Sequence, residues 1–403
     1  MFLYSGKVND CCGCMACSKA CPVSAITMKV DEKGFLYPCV DEKTCLNCGL
    51  CVKTCPMEEN YVGKDFEPSI YAVRCRDENV LNESSSGGMF SLLTEWVLDK
   101  NGVIYGVSFD EGFYVQHCRA VTWEQAKRFR TSKYVESDLT KVYENICDDL
   151  KSGKIVLLTG TPCQISSLNK FLKLKRVPVD HLYTCDNICH GVPSRMLWKE
   201  YIDILKDKYI AKDDEIIHIN MRSKKVSWKK QVMDIGLKKG NIEGIIEKFS
   251  FNRFFLSLYG IRPSCFQCKY TSYKRPSDFT LGDFWNVEQA GIFFDTNGGV
   301  NVVLVNTDKG KKVFEQIAKC ADVQQVTKKA AWQPHLEYSS KPPKHQEEFW
   351  REYLSGKDKE KVLRKYMKGS FLTKMIRFFT PFLRKTGLYA FAGKVYKKLF
   401  VGI

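Results

Sequence analysis

The chain has 403 residues, 44% of them hydrophobic and 13% aromatic, which is apolar material for two or three cored domains and excludes a disordered protein. Its 19 Cys are an odd number, so they cannot all pair, and they are too sparse for a disulfide-stapled miniprotein. The net charge of +16 gathers at one end: residues 351–403 carry 14 Lys+Arg against 3 Asp+Glu, so the excess reads as a basic tail and gives no sign of nucleic-acid binding by the rest.

The first ten residues, MFLYSGKVND, lack the apolar stretch of a signal peptide, and no long apolar run reads as a membrane span. The expectation is a cytoplasmic, reducing compartment, where clustered thiols serve metal or redox chemistry.

Residues 1–60 hold ten of the Cys and read as one small unit. Cys11, Cys14, Cys17 and Cys21-Pro22 recur as Cys45, Cys48, Cys51 and Cys55-Pro56, an internal repeat with a period of 34 residues. The spacing Cys-x2-Cys-x2-Cys-x3-Cys-Pro is the signature of bacterial two-cluster ferredoxins. Three thiolates on a tight turn reach three irons of one cubane, and the fourth, on the following helix, points to the other cubane. That assigns Cys11, Cys14, Cys17 and Cys55 to one [4Fe–4S] cluster and Cys45, Cys48, Cys51 and Cys21 to a second. Gly13, Ala16 and Gly49 let backbone N–H groups approach the sulfurs. Structural zinc would need neither the trailing Cys-Pro nor the reciprocal repeat. Cys12 breaks no spacing and reads as a bystander. Residues 25–30 alternate like a strand, and residues 61–69 form a polar linker with Gly and Pro.

Strands and helices then alternate. Residues 70–73 and 103–107 read as strands, and Gly87-Gly88 precedes an amphipathic helix over 89–100. Residues 155–159 are a short, wholly apolar strand, Gly160-Thr-Pro-Cys163 leads into a helix over 164–174, and residues 301–305 are a later buried strand. The fold expected is α+β and α/β: a ferredoxin-like dicluster domain, a mixed α/β body binding flavin and a cluster, and a basic helical tail. The body is expected in two parts, 70–150 and 151–339, with the tail over 340–403.

Four of the remaining Cys have distinctive contexts: Cys163 at a strand-to-helix turn, Cys189 before His190, and Cys265 with Cys268 as a Cys-x2-Cys. Together they could form a third cubane, or each could be a small buried hydrophobe; spacing leaves both open.

SSSGGMFSLL (84–93), TGTPCQISSL (159–168), ICHGVPS (188–194), SCFQCKY (264–270) and FTLGDFW (279–285), in that order, resemble the family of coenzyme F420 hydrogenase/dehydrogenase beta subunits over about residues 70–310. The resemblance implies an oxidoreductase that binds FAD and one further [4Fe–4S] cluster, ligated by Cys163, Cys189, Cys265 and Cys268, with Cys185 the nearest rival to Cys189. It also gives the other motifs a role in holding flavin. Ser85, Ser86, Gly87 and Gly88, ahead of a helix, offer N–H groups to a phosphate. Lys133 lies in a stretch similar to the family's Gly-Ser-Lys-Tyr, with Thr131 in place of Gly. Arg222 and Lys224 sit in an Arg-x-Lys motif where Ser227 replaces a Gly. Residues 282–285 and 297–300 are turns expected to line the pocket. His190 is the best-placed His, with a structural hydrogen bond its ordinary role.

The function expected is electron passage between [4Fe–4S] clusters and, through FAD, a two-electron carrier such as a deazaflavin. The alternative is an electron-transfer adaptor docking on a partner enzyme. A redox partner protein or ferredoxin and a small-molecule acceptor follow; the catalytic residue and acceptor remain unassigned. Residues 371–399 place apolar side chains at helical spacing beside Lys and Arg, which suits either packing on the body or peripheral contact with the inner face of an anionic membrane.

Overall fold

In the computed structural model, residues 1–58 and 66–367 are described. Strands β1 (Ile26–Val30) and β2 (Leu36–Val40) form an antiparallel hairpin. Short helices Ala16–Ala20 and Leu50–Lys53 follow the two Cys runs. Each starts after a residue in the left-handed region, Met15 (φ 65°) and Gly49 (φ 69°), which turns the chain sharply after the second Cys of each triplet.

The body is built on an eight-stranded mixed sheet. Its strands are β3 (Ser69–Cys75), β4 (Val103–Phe109), β5 (Val115–Ala120), β6 (Val156–Gly160) and β7 (Leu182–Asn187). A separate hairpin, β8 (Ile216–Ser227) and β9 (Lys230–Leu237), intervenes before β10 (Phe279–Asp283), β11 (Asn301–Val305) and β12 (Ala321–Gln325). The sheet order is β12-β3-β11-β10-β7-β6-β4-β5. Its centre, β10-β7-β6-β4, is parallel, and the outer pairings are antiparallel. Central parallel strands are covered on both faces and so read as continuous apolar runs. Val156, Leu157 and Leu158 of β6 are fully buried accordingly, and so are Val302, Val303 and Leu304 of the antiparallel β11.

Helix Met89–Leu98 and helix Asp308–Ile317 pack in one core with Leu157 and Val303. Helices Val142–Lys151 and Pro162–Leu174 share another with Val156 and Leu158, and that core takes in Cys14, Ala16 and Ala20 of the amino-terminal unit. Phe35 and Tyr37 of the same unit join a third core with helix Arg195–Tyr209. The cysteine-rich segment therefore lacks a core of its own. The expected tail over 340–403 is corrected at its start. Helices Gln346–Leu354 and Lys359–Met367 bury Phe349, Trp350, Tyr353, Val362, Leu363 and Tyr366 in that third core, because their apolar residues recur at helical spacing behind a charged face. The apolar stripe over 371–399 lies outside the described residues.

Docking of the amino-terminal unit is polar and directional. Side chains of the body donate to its backbone carbonyls: Tyr143 Oη to Cys14 O at 2.7 Å, Ser194 Oγ to Lys33 O at 2.6 Å and Lys269 Nζ to Met57 O at 2.6 Å. Arg262 does so twice, from Nε to Cys11 O at 2.8 Å and from Nη2 to Leu36 O at 2.7 Å. Its Nη1 pairs with Glu136 Oε1 at 2.6 Å, and its cation lies 4.5 Å from the Tyr37 ring centroid. Arg262 is wholly buried and Glu136 is 3% exposed, so neither charge has water to fall back on.

Removing one member of a buried pair leaves the other uncompensated, at a cost of about 3–5 kcal/mol. Arg262→Met is expected to lower the thermal midpoint of the full chain by several degrees, and the double variant with Glu136→Gln to recover part of the loss. Calorimetry that shows the two losses simply adding would mean that the pair is not coupled.

Candidate redox site

The thiols fall into three groups at different depths. Cys45, Cys48 and Cys51 lie together near the surface, with Cys48 exposed and the other two half-buried. Cys21, half-buried, accepts the Ala25 N–H at 3.2 Å. Cys11, Cys14, Cys17 and Cys55 line one cavity further in, and Cys14 and Cys17 are buried. Burial, with like charges at Cys14, Cys11 and Cys55, pushes the Cys17 thiol well up. Gathering four such thiols without a cation is unfavourable, whereas iron compensates their charge on ionisation.

Gly13 shapes this inner group. Its φ of 73° is left-handed, its N–H reaches Cys11 Sγ at 3.4 Å, and a Cβ there would collide with Glu136 Oε1. Arg262 Nη2 also lies 3.5 Å from Cys11 Sγ. The docking arginine thus faces a ligand sulfur.

Cys163, Cys189, Cys265 and Cys268 line a second cavity. Cys163 sits in the first turn of helix Pro162–Leu174, where Pro162 needs no N–H partner and Gln164 Oε1 accepts the Thr161 N–H at 2.9 Å. Cys189 follows the end of β7, and its sulfur accepts the Gly191 N–H at 3.4 Å. Cys265 lies in the 3-10 turn Pro263–Gln267, with Cys268 next after it. A Cβ on Gly191 would meet Ile261 at 2.7 Å and Cys265 Cβ at 3.3 Å, so glycine permits the close approach. Burial pushes Cys189 up to about 12 and Cys268 up to about 11. Cys185, the rival to Cys189, lies in β7 and faces a different cavity. Cys12, expected to be a bystander, lines both thiol cavities. Among the described residues, no three His, Cys, Asp or Glu groups close on a single metal ion. The inner thiols and the body thiols instead each ring a cavity.

A large cavity, about 300 Å³, opens beyond the carboxyl ends of β6, β7 and β10, at Gly160, Asn187 and Asp283. Open parallel sheets bind ligands there. It shares a wall with the Cys163–Cys268 cavity, formed by Thr161, Gln164, Cys189, His190, Gly191 and Val192. His190 stacks on His335 with centroids 3.9 Å apart, and burial pushes both rings down, to about 4 and about 3, so both are neutral near pH 7.

Ser85, Ser86, Gly88, Lys133 and Arg222 line the large cavity, as do Gly282, Asp283 and Trp285. Gly87 is wedged behind it, where a Cβ would strike Val73 O and Asn301 N. Gly88, at φ 84°, starts helix Met89–Leu98, and Asn301 Oδ1 already accepts the Met89 N–H at 3.1 Å. Lys224 is turned away from the role expected of it. Its ammonium is clasped by Leu81 O at 2.7 Å, Ser86 O at 2.8 Å and Gly298 O, which fixes the Ser84–Gly88 turn. Lys133 makes a similar clasp, donating to Arg128 O and Arg130 O at 2.7 Å and to Thr131 O at 3.3 Å. Burial pulls Lys133 down to about 7, but three carbonyl acceptors favour the ammonium with its three hydrogens. Arg222 pairs with Asp283 and lies 5.3 Å from the Trp285 ring centroid. Residues 297–300 pack behind Ser86, and a Cβ on Gly299 would meet the Ser86 backbone at 2.9 Å.

Residues 153–329 match the family profile for the C terminus of the coenzyme F420 hydrogenase/dehydrogenase beta subunit, and residues 10–58 match the 4Fe-4S dicluster domain. Over residues 153–329 the body is thus similar to the C-terminal part of F420 hydrogenase/dehydrogenase beta subunits. The chain is 21% identical over 327 residues to the F subunit of the F(420)H(2) dehydrogenase of Methanosarcina mazei, covering 76% of this chain and 82% of that one. Over 63 residues it is 35% identical to the I 2 subunit of the NADH-quinone oxidoreductase of Symbiobacterium thermophilum, a match to 14% of this chain and 26% of that protein. The F420-reducing [NiFe] hydrogenase complex of Methanosarcina barkeri contains a chain with a TM-score of 0.43 and 15% identity, over 66% of this chain and 85% of that one. The protein is thus an iron–sulfur oxidoreductase subunit related to this family.

Sequence reasoning missed Arg262 and Glu136. They lie 126 residues apart, and only the position of Arg262 shortly before Cys265 pointed toward a site.

In anaerobically prepared full chain, Cys48→Ser and Cys14→Ser are each expected to damage a different cluster, with up to about four irons lost per chain in each case. Stoichiometric zinc with little iron in the parent protein would overturn the cubane assignment.

Proposed function

We propose that this chain is an iron–sulfur flavoprotein subunit that exchanges electrons between a one-electron redox partner protein and a two-electron small-molecule carrier of the deazaflavin type. The observation that carries the reading is the shared wall: four converging thiols back directly onto a cavity at the carboxyl ends of parallel strands. Cys163, Cys189, Cys265 and Cys268 would hold a third [4Fe–4S] cluster, and the large cavity would hold FAD. Bound FAD supplies the exchange between one-electron and two-electron chemistry.

The residues divide the work. Ser85, Ser86 and Gly88 present polar backbone to a diphosphate, and the Lys224 clasp holds their turn in place. Arg222 is desolvated and already neutralised by Asp283, so it orients a polar edge of a ligand without adding net charge. Trp285 and Tyr134 offer aromatic faces to a ring system. His190 lies beside Cys189 in the shared wall and, being neutral, can pass a proton between its ring nitrogens. Exposed Cys48 marks the side on which a partner protein would dock.

Full-length protein purified without oxygen is expected to carry about twelve irons and one FAD, and to exchange electrons with a deazaflavin. Cys268→Ala should lose about four irons while the ferredoxin signals in electron paramagnetic resonance persist. About eight irons in the parent would refute the third cluster. Clusters without flavin, and no turnover with any small carrier, would make the chain an adaptor for a partner enzyme instead.

A further inference from the structure

The turn Cys11-Cys12-Gly13-Cys14 sends its side chains two ways. Cys11 and Cys14 close the inner ferredoxin cavity, while Cys12 lines that cavity and also the one formed by Cys163, Cys189, Cys265 and Cys268. Its thiol neighbours Cys14 on one side and Cys163 on the other. Among the described residues, no other Cys lines both cavities. Each donor set counts four thiols without it. Within the body set the members act on one another: Cys265 feels Cys189, Cys268 and Cys163.

We propose that Cys12 is a shared hydrogen-bond donor between the inner ferredoxin cluster and the third cluster, and that it sets their relative reduction potentials. The proposal rests on the reading of Cys163, Cys189, Cys265 and Cys268 as ligands of the third cluster.

A thiol has one S–H donor and a weakly accepting sulfur. Cys12 therefore donates to one ligand sulfur and touches the other at any moment. An S–H donated to a ligand thiolate withdraws electron density from it, and hydrogen bonds to cluster sulfurs are among the levers that set cluster potential. Cys12 is the thiol that neither donor set uses, so it keeps its proton while the ligand sulfurs bind iron as thiolates. Docking makes the arrangement specific: Tyr143 Oη on Cys14 O and Arg262 Nε on Cys11 O hold both flanks of the turn against the body. Cys12 is thus a positioning residue whose effect is electrostatic.

The test uses full-length Cys12→Ala and Cys12→Ser, purified without oxygen, with iron counting and redox titration followed by electron paramagnetic resonance. Iron per chain is expected to match the parent in both variants. In Cys12→Ala the reduced-to-oxidised ratio of one of the two clusters, at a fixed potential, should fall about tenfold, which is about 59 mV for one electron. Cys12→Ser keeps a donor and should shift it less. Unchanged potentials in both variants would overturn the proposal, as would loss of about four irons from both, which would make Cys12 a ligand. A parent with only about eight irons would instead defeat the underlying third-cluster reading, before any variant is examined.

Discussion

The arrangement depends on one buried cation. Arg262 has no exposed surface, and its planar fork is fully engaged by the carbonyls of Cys11 and Leu36, the sulfur of Cys11 and the carboxylate of Glu136. Desolvating a guanidinium costs several kcal/mol, so the cluster of acceptors offsets a penalty more than it adds stability. What it supplies is geometry. Arg262 lies three residues before Cys265, and its own N–H is held by Val192 O at 3.0 Å, near Cys189. The segment that docks the amino-terminal unit is therefore the segment that carries two thiols of the body set. Any shift of one moves the other, and the spacing between the inner and body thiols runs through the hydrogen bonds of Arg262 and the short chain from it to Cys265.

The same economy appears around Glu136. Its backbone N–H is held by Pro193 O at 3.1 Å, and Arg195 Nε donates to its carbonyl at 3.1 Å. Ser194, next to both, donates to Lys33 O across the junction. Gly13 and Gly34 let the amino-terminal unit come this close, since a Cβ at either would meet side chains of the body. Beside Phe35 and Tyr37, which pack into the body, the unit uses glycines for close approach and backbone carbonyls as its polar handles.

What the sequence disclosed follows from how locally each feature is encoded. Strands β6 and β11 and the helix after Gly88 announce themselves by period and by glycine, and they formed where expected. The cysteine spacings were legible because a cubane constrains residues close together in the chain. Long-range pairings left no local trace. Arg262 meets Glu136, and Lys224 meets Leu81 and Gly298, only after the sheet has brought distant loops together. Lys133 and Lys224 look like ligand cations in a motif because a basic residue near glycines suits a phosphate equally well. The structure turns both ammonium groups onto backbone carbonyls. The hairpin β8–β9, and the burial of the expected helices after residue 345, were missed for the opposite reason, that charged faces hide their apolar ones.

These engaged cations bear on how the large cavity recognises an anion. Arg222 is neutralised by Asp283, Arg130 by Glu83, and Lys133 and Lys224 are committed to carbonyls. The potential inside is therefore moderate despite four basic residues nearby. An anionic ligand would be held by backbone dipoles and shape, with the Ser84–Gly88 turn clasped in place beforehand, instead of by an open positive patch. On the flavin reading, extended contact with walls like Trp285 would repay the ordering of a large planar cofactor. The clasped lysines thus give selectivity by rigidity, and the charge count of the motif misleads about the strength of the field it creates.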